Sequence, residues 1–198
     1  MNIGKLVVFE GIDNVGKSTI VSILNERLDN ADQTVSVLSF PGKEDKTLGQ
    51  WVYEFHHSGI AESTDKTSLQ LLHIAAHIDC ITKQLTPRLA AGEIVILDRF
   101  WWSTLVYGLV DEVSVDHLNA MINLEAQVWG SQNPDCLFLI RREETENQPG
   151  SNRLTQEYKK LALRERNKYP IVEVFNDGEL EATIDTIIQT LSELEIAI

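Results

Sequence analysis

Long apolar runs are missing from this sequence: stretches such as Ile94 to Leu97 and Cys136 to Ile140 fall far short of the ~18 residues of a membrane span. Cysteine is scarce. Cys80 and Cys136 are the only two, far apart and outside any Cys-x-x-Cys, which excludes a disulfide framework and predicts two reduced core residues. Glycine and proline number only 11 and 5, too few for a collagen-like or linker-rich chain, and 43% hydrophobic residues suffice for a packed core. Basic charge is short as well: 17 Lys plus Arg against 30 Asp plus Glu leave −13, a field that repels long nucleic acid and anionic membrane surfaces. Met1 to Lys5 runs directly into a strand pattern without the charged and apolar regions of a signal peptide, so a cytoplasmic protein is expected. The 198 residues read as one domain spanning 1–198.

What is present is a repeated change of hydrophobic period. Lys5 to Glu10, Thr34 to Ser39, Ile94 to Leu97, Cys136 to Ile140 and Ile171 to Phe175 read as strands. Between them, helical spacing covers about Lys17 to Leu28, Leu48 to His56, Ser68 to Ala91, Ser103 to Leu109, Val115 to Trp129 and Leu154 to Asn167, with a last helix after the Asn176-Asp177-Gly178 turn. Thr67 with Gln70 fits a capping box for the long helix. The pattern predicts an α/β fold: a five-stranded parallel sheet with helices on both faces. Eight of the 17 basic residues fall between Arg141 and Lys168, and the polar segment of about 141–153 reads as a short, loop-like lid.

Gly11-Ile12-Asp13-Asn14-Val15-Gly16-Lys17-Ser18 matches G-x-x-x-x-G-K-[ST] directly after an apolar strand and directly before a helix. Glycines let the backbone approach an anion, the helix N-terminus adds partial positive charge, and Lys17 adds a full one. This loop predicts a nucleotide's phosphates held by Gly11, Asn14, Val15, Gly16, Lys17, Ser18 and Thr19, with the Ser18 hydroxyl on Mg²⁺. Asp98 ends a buried strand and so emerges at the carboxyl edge of the sheet, where it can share the metal. The adjacent Arg99 can grip a second anion.

Phe9-Glu10-Gly11-Ile12-Asp13, the phosphate loop, Phe40-Pro41, Leu71-Leu72 with Ala75-Ala76, and Asp98-Arg99-Phe100 followed by Ser103 and Tyr107 together resemble the thymidylate kinase family, in order along nearly the whole chain. The resemblance implies the P-loop kinase fold, ATP with Mg²⁺, and phosphoryl transfer to a deoxypyrimidine monophosphate, dTMP to dTDP first among them. It implies Lys17, Arg99 and Arg153 as catalytic cations, and an acceptor site of Asp13, Phe40, Lys43, His73, His77, Asp98, Arg99, Ser103 and Tyr107. Lys46 competes with Lys43 for the acceptor phosphate. Small nucleotides, not long nucleic acid or membrane, are the implied partners, and a homodimer is the implied assembly.

Departures from the family pattern concentrate at the acceptor base. His73 stands where a stacking Phe is usual, His77 where an arginine is usual, and Gly108 where a polar residue follows the tyrosine. They leave the choice of pyrimidine open; the two histidines also share an i,i+4 face suited to Zn²⁺, but lack a third ligand nearby. Asn14 replaces an arginine or glycine, so transition-state charge needs a lid cation, Arg153 first and then Arg141 or Arg142. One of Trp101 and Trp102 is expected to flank the pocket, and Trp51 and Trp129 to serve as core or subunit contacts; His56, His57 and His117 carry no expected role. Two further readings stay open: a deoxynucleoside kinase in which Glu10 is the base, and a nucleotide-binding protein without catalysis.

Overall fold

The computed structural model describes residues 4–28, 34–148 and 150–196. Five strands, β1 (Lys5–Glu10), β2 (Val35–Ser39), β3 (Ile94–Asp98), β4 (Cys136–Arg141) and β5 (Ile171–Phe175), form one sheet in the order β2-β3-β1-β4-β5. Every pairing is parallel. β1, β3 and β4 are buried along almost their full length, which requires cover on both faces and explains their unbroken apolar runs. Phe9 and Phe138 stack across the β1–β4 pair, centroids 5.2 Å apart. Cys80 and Cys136 are free buried thiols, each pushed up to about 12 by burial.

The helices divide into two layers. α1 (Lys17–Leu28) and α10 (Leu180–Glu193) pack together, joined at the surface by Arg27 with Asp185 at 2.8 Å. The other group is α4 (Lys66–Cys80), α6 (Trp101–Val110), α7 (Val115–Trp129) and α9 (Ser151–Glu165), with α2 (Leu48–His57) packed beside α4 and the single turn α3 (Ile60–Ser63) against α2. Gly108 sits at the α6–α7 crossing, where an added Cβ would stand 2.5 Å from Leu118 Cδ2. Its side is therefore packing, not the acceptor pocket.

Several boundaries differ from the sequence pattern for identifiable reasons. Asp65, not Thr67, caps the long helix: its carboxylate accepts the Ser68 amide at 3.0 Å, so the helix starts at Lys66 and the expected capping box is absent. The same helix is interrupted by a π-helical turn, Ile81–Leu85, before α5 (Thr86–Ala90). Pro87 cannot donate to the preceding turn, and a wider turn accommodates it. The lid segment is not all loop. It contains α8 (Glu143–Glu146), and α9 begins at Ser151, after Gly150 at φ 87, three residues earlier than the pattern suggests. Pro149, part of the expected loop signal, lies outside the described residues.

Strand register brings the chemistry together. Phe9 pairs with Asp98, Ser39 with Asp98, and Glu10 with Leu139, so β1, β2 and β3 end at one level. Three segments therefore leave the sheet side by side: the phosphate loop, Phe40-Pro41 with a cis peptide, and Asp98-Arg99. This is the carboxyl edge at which open α/β sheets place their ligands.

Candidate active site

The phosphate loop turns because Gly11 and Gly16 take φ of 139° and 95°, and Asn14 takes 65°. A Cβ at Gly11 would collide with the Ile140 carbonyl oxygen. The loop is held from outside by Asn176, whose side-chain amide donates to the Val15 carbonyl at 2.9 Å, and by Thr145 of α8, whose hydroxyl donates to the Asn14 carbonyl at 3.3 Å. Asn14 thus contributes backbone and left-handed geometry. Lys17 donates to the carbonyls of Gly11 and Ile12 at 2.8 and 2.7 Å and is only 5% exposed. Burial, followed by the charge of Arg99, pushes its ammonium down from 10.5 to about 8.

Ser18 donates to Asp98 Oδ2 at 2.9 Å, and Asp98 Oδ1 is an enclosed oxygen with no partner among the described residues. A hydroxyl and a carboxylate with an unused oxygen form a hard-oxygen set that fits Mg²⁺. On the other side of Asp98, Arg99 is held at φ 75 with its guanidinium paired to Asp13 and donating to Ser103 at 3.1 Å. Tyr107 donates to the second Asp13 oxygen at 2.8 Å. Burial works to raise Asp13, but Arg99, Tyr107 and Lys17 outweigh it and hold the carboxyl below its usual range.

Glu10 lies beneath this layer, wholly buried, accepting from the amides of Phe100 (2.7 Å) and Ser103 (3.0 Å), from the Ser103 hydroxyl (2.8 Å) and from Tyr158 (3.0 Å). Burial raises its carboxyl despite Arg99 and these donors. It does not line the cleft. Its role is to fix Ser103 and the start of α6, which removes the basis for a Glu10 general base.

A cleft of about 560 Å³ opens over these groups. Asp13, Ser18, Asp98, Arg99, Ser103 and Tyr107 line one side; Phe40, Lys43, His73 and His77 line the other. Lys43 stands 4.8 Å from the Tyr53 ring centroid, whereas Lys46, at φ 64, does not reach the cleft. Sequence reasoning missed Tyr53, Gln70, His56 and His57, which also line it. His56 was given no role because its partner is distant in sequence: its Nε2 lies 2.6 Å from Nε2 of His73. Burial, with the nearby His77, His56 and Arg99, pushes His73 down to about 3, so it is neutral. Among the described residues no cluster of three metal-ligating side chains occurs, and the Zn²⁺ reading of His73 and His77 gains no third ligand.

Other expectations are corrected. Trp102 is fully buried, donating to Tyr169 at 3.0 Å, and Trp101 packs toward α9; neither lines the cleft. Of the two expected core-or-contact residues, Trp129 is core, whereas Trp51, 74% exposed, is not core and leaves the subunit-contact alternative open. The structure does not bring Arg153 to the phosphate loop, because its guanidinium donates to the carbonyls of Leu109 and Val110 at 2.9 and 3.2 Å, at the end of α6. Arg141 is held by both oxygens of Glu146 at 2.7 and 2.8 Å and by Glu173. Arg142 is half-buried, with Glu144 at 3.1 Å. The acidic run Glu143-Glu144-Thr145-Glu146 beside Arg141-Arg142 was the available signal for these pairings.

Sheet order, phosphate loop and strand-end aspartate define a P-loop kinase fold with a nucleotide-sized cleft at its carboxyl edge. The thymidylate kinase family model matches residues 9–186, and the chain belongs to that family. It is 32% identical to a thymidylate kinase of Rhodopseudomonas palustris (strain TIE-1) over 139 residues, 69% of this chain and 58% of that protein's length. With the thymidylate kinase of Caulobacter vibrioides it shares 29% identity over 211 residues, covering 96% of this chain and 99% of the other. The crystal structure of thymidylate kinase from Ehrlichia chaffeensis superposes with a TM-score of 0.79 at 23% identity, covering 95% and 98% of the two chains, and so shares the fold.

Proposed function

We propose that this protein transfers the γ-phosphoryl group of ATP to the phosphate of a deoxypyrimidine nucleoside monophosphate, converting dTMP to dTDP. The observation that carries the reading is the placement of two anion-binding ends at one sheet edge: the phosphate loop, with enclosed Lys17 next to Ser18 of the cleft wall, and Arg99 and Lys43 on the acceptor side of the cleft, with Asp98, bonded to Ser18, between. Two cations on the acceptor side suit a phosphate rather than a neutral hydroxyl. Family membership and the thymidylate kinase relatives support the same chemistry.

Lys17 exchanges its two carbonyl partners for donor phosphate oxygens, and a dianionic neighbour restores the charge that burial weakens. Ser18 and Asp98 would hold Mg²⁺, which neutralises developing charge on the phosphates when bound. Arg99 and Lys43 orient the acceptor phosphate, while Asp13 and Tyr107 fix the Arg99 fork. Arg142, the lid arginine whose only described partner is an exposed glutamate, is the cation available to the donor side. No helix among the described residues is long and apolar enough to cross a membrane. We place the enzyme in the cytoplasm as a homodimer, with the exposed Trp51 and Leu71 among the side chains a second copy would cover.

The test is ADP release with ATP and Mg²⁺ and a panel of dTMP, dUMP, dCMP and thymidine. The reading requires turnover of a monophosphate and none of thymidine; turnover of thymidine alone would support a deoxynucleoside kinase.

A further inference from the structure

Two elements outside the cleft grip the phosphate loop at consecutive carbonyls. In the turn between β5 and α10, the Asn176 side-chain amide donates to the Val15 carbonyl at 2.9 Å; in α8, the Thr145 hydroxyl donates to the Asn14 carbonyl at 3.3 Å. Neither side chain lines the cleft. The partners of Asn176 settle which way its amide points: the Val15 carbonyl can only accept, so the NH₂ faces it, and the Thr183 hydroxyl of α10 donates to the amide oxygen at 3.4 Å. Its backbone is fixed as well, the N–H donating to the Arg141 carbonyl at 2.8 Å. Asp177, the next residue, accepts the Glu143 amide at 2.7 Å, which joins the turn to α8. The two elements therefore meet the loop as one unit. Lys17, the loop's own cation, takes the carbonyls of Gly11 and Ile12 instead.

Peptide geometry turns this grip into an aim. A planar trans peptide carries its C=O and N–H on opposite sides, and among the described residues only Phe40-Pro41 is cis. An Asn14 carbonyl held toward Thr145 turns the Val15 N–H the other way, and a Val15 carbonyl held toward Asn176 does the same to the Gly16 N–H. Neither N–H has a hydrogen-bond acceptor among the described residues. Successive N–H groups turned to one side form a concave site for an anion. The grip also accounts for Gly16, since a Cβ there would stand 2.5 Å from Asn176 Nδ2.

We propose that Asn176, with Thr145 beside it, is a positioning residue for the donor nucleotide: it fixes two loop peptides so that the Val15 and Gly16 N–H groups face the donor phosphates before ATP binds. The proposal rests on the phosphotransferase reading above and deepens its donor side. Without Asn176 the Val15–Gly16 peptide is free to rotate about a glycine, and part of the binding energy of ATP goes into restoring its orientation. The phosphates contact the loop in the ground state and the transition state alike, so the loss falls on KM for ATP rather than on kcat. The acceptor, held by Arg99 and Lys43, is unaffected.

The experiment measures the Kd of MgADP by calorimetry, and KM for ATP and for dTMP, in the natural protein and in the Asn176→Ala, Thr145→Val and Thr145→Ser variants, with thermal melting as the check of folding. Asn176→Ala is expected to weaken MgADP and raise KM for ATP by about 10-fold, with KM for dTMP unchanged and kcat within about twofold. Thr145→Val keeps the shape and loses the hydroxyl, so a loss of about threefold is expected, whereas Thr145→Ser keeps the donor and should bind like the natural protein. Nitrogen-15 NMR of the natural protein reads the same claim without a variant: the Val15 and Gly16 amide protons should move downfield when MgADP is added. A folded Asn176→Ala variant that binds MgADP undiminished, a loss shared equally by dTMP, a Thr145→Ser variant as weak as Thr145→Val, or Val15 and Gly16 amides that MgADP leaves unmoved would each overturn the proposal. If MgADP binds as expected but no monophosphate is turned over, the phosphotransferase reading fails by itself; if MgADP does not bind, the proposal fails with it.

Discussion

Lys17, proposed to bind the donor phosphates, is kept in the fold at a cost. Its ammonium is enclosed, held by two loop carbonyls, and its value is pushed from 10.5 to about 8. A lysine whose folded value lies below its unfolded one binds fewer protons when folded, so its contribution to stability improves as pH rises from about 8 to 10.5. Lys17→Met removes the enclosed charge and should therefore melt no lower than the natural protein at neutral pH, while phosphoryl transfer falls by about 1,000-fold or more. Melting curves and turnover on the same sample check both parts. A folded variant with near-normal turnover would remove Lys17 from the catalytic set. The role of Lys17 is legible in the sequence because its motif is contiguous and flanked by a recognisable strand and helix. The buried contact between Glu125 and His77 is not, because the two lie 48 residues apart and Glu125 reads as one more acid on an amphipathic helix.

At the scale of elements, two residues read as functional in the sequence act on helix packing. Gly108 allows α6 to meet α7 at Leu118, so Gly108→Ala should destabilise by about 1–3 kcal/mol through overpacking and lower the melting temperature by several degrees. The ratio of dTMP to dCMP turnover should be unchanged, which separates packing from base recognition. Arg153 donates to the last carbonyls of α6, so Arg153→Ala should lower stability by about 1 kcal/mol with kcat nearly intact. A large loss of kcat would instead show that α9 swings this guanidinium to the phosphates during turnover. Strand and helix interiors were readable because their periods are distinct. The single turns α3 and α8 were not, since four residues are too few to establish a period, and the start of α9 was set by a lid too polar to signal helix.

For the whole molecule, the parallel order β2-β3-β1-β4-β5 determines what meets at the cleft. Segments distant in the chain converge there because β1, β2 and β3 end at one level. The sequence pattern yields five strands and their parallel sense from the alternation with helices, and the linear motifs yield the phosphate loop and the strand-end Asp98-Arg99 pair. It does not yield the wall opposite, where His56, His73, His77 and Glu125 are assembled from three helices by tertiary packing alone. The central claim is that this edge aligns two phosphates, one on the Lys17 side and one on the Arg99 side. Following label from γ-³²P-ATP with dTMP as acceptor tests it most directly. The account predicts label in the β-phosphate of dTDP, formed with Mg²⁺ and abolished by Lys17→Met. Label recovered only as inorganic phosphate, or transferred to the hydroxyl of thymidine but not to dTMP, would contradict it.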